Sequence, residues 1–126
     1  MRIAHMVIPL CVLVSLAGCK GGKQQAKPEG LRLLEVNGCI ACHSLDGAKR
    51  IGPPLNGIFG ATVVVTTNGK KRTLTVDRDY LQRSILDPRA DVVEGFTSTM
   101  PTNFKHQIGE KNLNTILDYL ESIGQK

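Results

Sequence analysis

The chain has 126 residues, room for one small domain, and its 41% hydrophobic and 21% charged residues exclude a disordered chain. Aromatic residues are 4% with no Trp, so the bulky fillers of a small core are missing and the domain needs a staple: a metal, a disulfide or a cofactor. The formal charge of +5 does not mark a nucleic-acid binder, because Arg2, Lys20, Lys23 and Lys27 lie in an acid-free stretch before Glu29, and from Glu29 onward 12 basic side chains face 11 acidic ones.

Residues 7–17 form an apolar run broken only by Pro9 and Ser15, well short of the roughly 20 residues that span a bilayer. With Arg2 ahead of it, the run has the length and flanks of a signal-peptide core, so residues 1–18 are expected to be removed. It ends in Leu16-Ala17-Gly18-Cys19, which resembles the lipobox of bacterial lipoproteins. That resemblance implies cleavage before Cys19 and a diacylglycerol on its sulfur; an ordinary signal cut near Ala17 is the alternative. Residues 20–27 are Gly, Gln, Lys and Ala, the composition of a solvated tether. The expected organisation is a signal peptide over 1–18, a tether over 19–29 starting at lipidated Cys19, and a folded domain over 30–126. The protein is then exported and held by its lipid on the outer face of the bacterial cytoplasmic membrane, or on an outer membrane, facing the periplasm or exterior.

Along the folded part, residues 30–36 read as a short helix with Leu31, Leu34 and Val36 on one side, closed by Asn37-Gly38. Residues 44–60 are rich in Gly and Pro and read as a packed loop. Residues 62–67 are all β-branched and residues 72–76 alternate, with Asn68-Gly69 between them as the favoured pair of a tight hairpin. Residues 76–86 read as a helix with Thr75 as its N-cap, and Pro88 stops it at Asp87. Residues 88–108 read as loop. Residues 110–123 carry the clearest helical stripe, Leu113, Ile116, Leu117, Leu120 and Ile123, followed by Gly124.

The chemistry is concentrated in Cys39-Ile40-Ala41-Cys42-His43, the attachment sequence of c-type haem. Two thiols at this spacing add to the two vinyl groups on one porphyrin edge, and the next residue brings an imidazole beneath the iron. A zinc site wants four ligands, commonly a second Cys pair, and the sequence has none. A disulfide leaves His43 and the small core without an explanation. With Met1 and Met6 in the signal segment, Met100 is the single methionine left for the sixth position, in the polar run Thr97-Ser98-Thr99-Met100-Pro101. A core-filling methionine sits on an apolar face instead. His106, in the polar run Lys105-His106-Gln107, is the competing ligand. A Met/His pair raises the potential and suits electron transfer.

With these residues in hand, the sequence resembles the class I cytochromes c from Gly30 to Ile123. Leu33-Leu34 precede the cysteines as in that family's first helix, Gly52-Pro53-Pro54-Leu55 is similar to its Gly-Pro-x-Leu segment, and Met100-Pro101 and Tyr119-Leu120 match its distal loop and last helix. A narrower likeness is to the cytochrome domain fused to subunit II of caa-type haem–copper oxidases, through Tyr80-Leu81-Gln82-Arg83-Ser84-Ile85-Leu86-Asp87-Pro88 and Ala90-Asp91-Val92-Val93-Glu94-Gly95-Phe96. This sequence holds no counterpart of that subunit's membrane helices or copper domain, so its direct route to copper is not carried over. The resemblance implies an all-α class I fold with a small β-hairpin insertion and one covalent haem c on Cys39 and Cys42. It implies that the Pro53 carbonyl accepts from His43 and that Leu55 touches the haem. His43 and Met100 become the axial pair of a carrier, not an enzyme, in a respiratory chain. The implied partner is a respiratory membrane complex such as a haem–copper oxidase. Two readings stay open beside it: a fixed haem subunit of a quinol-oxidising complex, and a haem enzyme or gas sensor if Met100 does not bind iron. The candidate docking patches are Lys49-Arg50 in the loop after the cysteines, the hairpin tip Lys70-Lys71-Arg72, and Lys105, and Lys49-Arg50 is preferred for its nearness in sequence to the attachment site.

Overall fold

The computed structural model describes residues 26–124. The expected signal peptide, Cys19 and the first part of the tether lie outside the described residues.

The first helix, α1, runs Glu29–Val36, and a single turn, α2, covers Cys39–Cys42. Between them Gly38 takes the left-handed conformation (φ 73°) that lets the chain reverse. The face that α1 buries differs from the one expected. Gly30, Leu33 and Leu34 are buried, at the spacing that lines up on one side of a helix. Val36 is 64% exposed and Leu31 only half-buried. The last helix, α5, runs Glu110–Ser122 and buries Leu113, Ile116, Leu117 and Leu120, the expected stripe. It crosses α1, and the crossing is closest at Gly30. A Cβ built there would lie 2.8 Å from the Thr115 carbonyl oxygen and 2.9 Å from Tyr119 Cγ.

After α2 the Gly/Pro-rich loop is tied down rather than free. Gly52 N–H donates to Cys42 O at 2.9 Å, Leu55 N–H to Ser44 O at 2.8 Å, and Gly57 N–H to Ile123 O at 2.8 Å. The hairpin follows: β1 Thr62–Thr67 and β2 Lys70–Thr75, antiparallel, with Val65 opposite Arg72. Asn68 and Gly69 both have positive φ (49° and 76°), as a two-residue turn matched to strand twist requires.

Helix α3 runs Arg78–Leu86 and ends as expected at Asp87 before Pro88. Its N-cap is Asp77, whose carboxylate accepts from Tyr80 N–H at 2.7 Å; Thr75, the residue expected there, is the last residue of β2. The stretch expected as loop holds two short elements. Strand β3, Val92–Val93, pairs with β1, giving a sheet of order β2-β1-β3, and helix α4 covers Phe104–Gln107. Both depend on distant partners: β3 on Thr66 and Val65, and α4 on the core that receives Phe104. The architecture is helical, with one small antiparallel sheet whose hairpin is inserted between the loop after α2 and α3 and whose third strand follows α3.

Candidate cofactor site

The helices and the two long loops line a cavity of about 520 Å³, within the roughly 300–1,000 Å³ of small-molecule and cofactor sites. Cys39, Cys42 and His43 come to its wall from α2, Gly52, Pro53 and Leu55 from the loop after it, and Met100 from the segment before α4. Tyr80, Leu81 and Ile85 of α3 and Leu120 of α5 close it with apolar surface. All six residues expected at the site therefore line one cavity. The competing ligand does not: His106 is exposed, and it lies on α4 away from that wall.

His43 is held in a defined state. Its Nδ1 lies 2.7 Å from the carbonyl oxygen of Pro53, and a carbonyl only accepts, so Nδ1 carries the proton and donates. Nε2 is left with its lone pair, the form in which an imidazole binds a metal. A second neighbour, with no role expected from sequence, is Gly52. A Cβ there would fall 2.7 Å from Nδ1 and 2.8 Å from Nε2, so the ring keeps its position only because residue 52 has no side chain. Cys39 and Cys42 are half-buried and not paired in a disulfide, and burial pushes the Cys39 thiol up.

Two further residues of the wall have no role in the sequence reading. Ser84 Oγ is buried on this wall, beside the Tyr80 hydroxyl. Asp91 is buried beside Arg72 and Arg83, which donate to it at 2.9 and 2.8 Å, and beside Thr67, which also donates to it. Burial alone raises its carboxyl, but Thr67 and the two guanidinium groups outweigh that and hold it down at about 2. The sequence signal for Asp91 was only its place in the longer run of likeness.

Fold and site together define a small helical domain built around one apolar cofactor cavity, with two thiols, an imidazole and a thioether on its wall. The family model for cytochrome c matches residues 28–124, and the chain belongs to the cytochrome c family. No curated protein matches the chain as a relative. Membership brings one covalently attached haem c and the role of a haem-based electron carrier. The residues present fit that group: the cavity has the size and the apolar walls, and Gly52 and Pro53 fix the imidazole beside paired thiols.

Proposed function

We propose that this chain is a lipid-anchored monohaem cytochrome that passes single electrons in a respiratory chain, to or within a terminal oxidase. Cys39 and Cys42 would hold the haem by thioether bonds, and His43 and Met100 would bind its iron. When bound, the group supplies a one-electron iron couple. The chain's own part is to hold and shield it. Pro53 O keeps the His43 proton on Nδ1, Gly52 makes room for the ring, and Leu55, Leu81, Ile85 and Leu120 exclude water. The observation that carries the reading is that His43 and Met100 line the same cavity while His106 is exposed. Two protein ligands leave no open position for a substrate, which favours transfer of electrons over catalysis or gas sensing. The anchor rests on the lipobox-like end of the signal segment, and no helix among the described residues is long and apolar enough to cross a membrane. The proposed site is the outer face of the bacterial cytoplasmic membrane or an outer membrane.

The test of the ligands is carbon monoxide. Reduced holoprotein resists it at neutral pH, and Met100→Ala binds it at once; ready binding by the unaltered protein ends the assignment. The anchor is tested by Cys19→Ala, which moves the protein from the membrane fraction to the soluble one. Gentle detergent extraction then separates a mobile carrier, which comes out alone, from a fixed subunit, which brings membrane proteins with it.

A further inference from the structure

The segment before α4 forms one wall of the cavity through Asp91, Val92, Val93, Phe96, Met100 and Pro101. Its middle is weakly held. Thr97, Ser98 and Thr99 are exposed, and the backbone bond there is local, Thr99 N–H to Thr97 O at 2.9 Å. Thr97, Ser98 and Thr99 reach the cavity only as part of this loose stretch, and Met100 packs against the core, so the approach of the segment to that contact is set from its two ends. One end is Phe104, buried in the core. The other is Asp91, whose side chain is only 2% exposed and accepts from three elements: Thr67 of β1, Arg72 of β2, and Arg83 of α3 through Nε at 3.0 Å and Nη2 at 2.8 Å. Directly after it, Val92 and Val93 pair with Thr66 and Val65, Glu94 N–H donates to Val64 O at 2.8 Å, and Lys71 pairs with the Glu94 carboxylate. The inserted hairpin thus grips the start of the methionine segment through Asp91, the β1–β3 pairing and Glu94.

We propose that Asp91 is a positioning residue for Met100, and that the hairpin is the brace through which it acts. This rests on Met100 as an iron ligand. Asp91 touches neither the sulfur nor the imidazole. It fixes where the segment leaves the sheet, so the sulfur stays over the cavity without having to be ordered by binding itself. Loosening this end raises the fraction of molecules with the sulfur away from iron, and external ligands gain access in proportion to that fraction.

The substitution Asp91→Asn isolates the effect, because Arg72 and Arg83 are 45% and 44% exposed and turn to water when their partner is lost. The full-length holoprotein is read by the visible absorption band of the sulfur–iron(III) bond and by the rate of carbon monoxide binding after reduction. Haem content and helical circular dichroism serve as controls. In Asp91→Asn the band weakens and carbon monoxide binds about tenfold faster, with both controls unchanged, while Asp91→Glu restores most of the band. Arg72→Gln, which removes only the hairpin's arm, shifts both readouts the same way by less, and it carries the test if Asp91→Asn fails to accumulate. An unaltered protein with the band, and variants that match it, overturn this proposal alone. An unaltered protein without the band overturns the ligand assignment and this proposal together.

Discussion

At the scale of single residues, the position of His43 is decided by two neighbours, one by what it offers and one by what it lacks. Pro53 gives a carbonyl at 2.7 Å that fixes the tautomer, and Gly52 gives empty space against the ring. Gly52→Ala puts a carbon where the imidazole stands, so the ring shifts and the bond to Pro53 breaks. The expected result is a loss of about 1–3 kcal/mol of stability, typical of overpacking, with a lower haem-to-protein ratio, measured by urea unfolding and by haem absorbance. A melting curve and haem content equal to those of the unaltered protein refute it. The cysteines and His43 were legible in sequence because the chemistry of two vinyl groups and one iron dictates their spacing. Met100 was legible by elimination and by its polar surroundings. Gly52 was quoted for likeness alone, because contact with a ring nine positions earlier is a property of the folded loop. Ser84 was likewise quoted only inside a run of likeness, since the burial of its hydroxyl is a property of the fold.

Among the elements, α5 is legible because Leu113, Ile116, Leu117 and Leu120 repeat at helical spacing along it, with Ile123 just past its end. The buried side of α1 is legible in part: Leu34 is shared by the expected and the observed face, and Leu33 replaces Leu31 and Val36 because it stands three residues after Gly30, on the side that crosses α5. Gly30 stands in the first turn of α1, and a Gly within a helix costs up to about 1 kcal/mol against Ala, so the sign of Gly30→Ala separates propensity from packing. Packing wins: the new Cβ meets Thr115 O and Tyr119, so the variant is destabilised by about 1–3 kcal/mol despite its better helix propensity. Denaturant unfolding checks this, and a stabilised variant shows that the crossing is looser than the structure has it. The start of α3 was misplaced because Thr75 and Asp77 both suit a cap, and only the hairpin's length decides that Thr75 belongs to β2. Strand β3, with two residues, and α4, with four, are too short for any periodic signal and exist by virtue of β1 and the core.

Across the whole molecule, charge acts in two ways, in holding the fold and in meeting a partner. For the fold, Asp91 faces Thr67, Arg72 and Arg83, with the Tyr80 hydroxyl pushed up by burial and so neutral. A carboxyl held at about 2, below its ordinary 3.8, contributes stability that is fully present above the ordinary value and disappears as pH falls through about 2. The contribution is about 2 kcal/mol. Urea unfolding between pH 5 and pH 2 shows the loss, and Asp91→Asn removes that part of the slope. For the partner, the net of +1 beyond Glu29 becomes about −1 once two haem propionates are counted as carboxylates, so any steering comes from a local patch. The structure gives the expected patch internal tasks as well. The Lys49 ammonium lies 5.4 Å from the centre of the Phe96 ring, and Arg50 donates to Ile40 O at 3.1 Å. Charge reversal at both positions therefore removes two contacts beside the cavity in addition to changing the field. A Gln-Gln pair removes the contacts alone, so the difference between Glu-Glu and Gln-Gln reports the field. Oxidation by the partner is expected to be slower in Glu-Glu than in Gln-Gln at low salt, with the two converging near about 0.5 M as screening shortens the reach of charge. The gap is wider in the Cys19→Ala background, because an anchor already raises the local concentration of the carrier near a membrane partner and leaves less for steering to do. Equal rates for the two pairs at low salt, in the unanchored protein, rule out Lys49 and Arg50 as the docking patch.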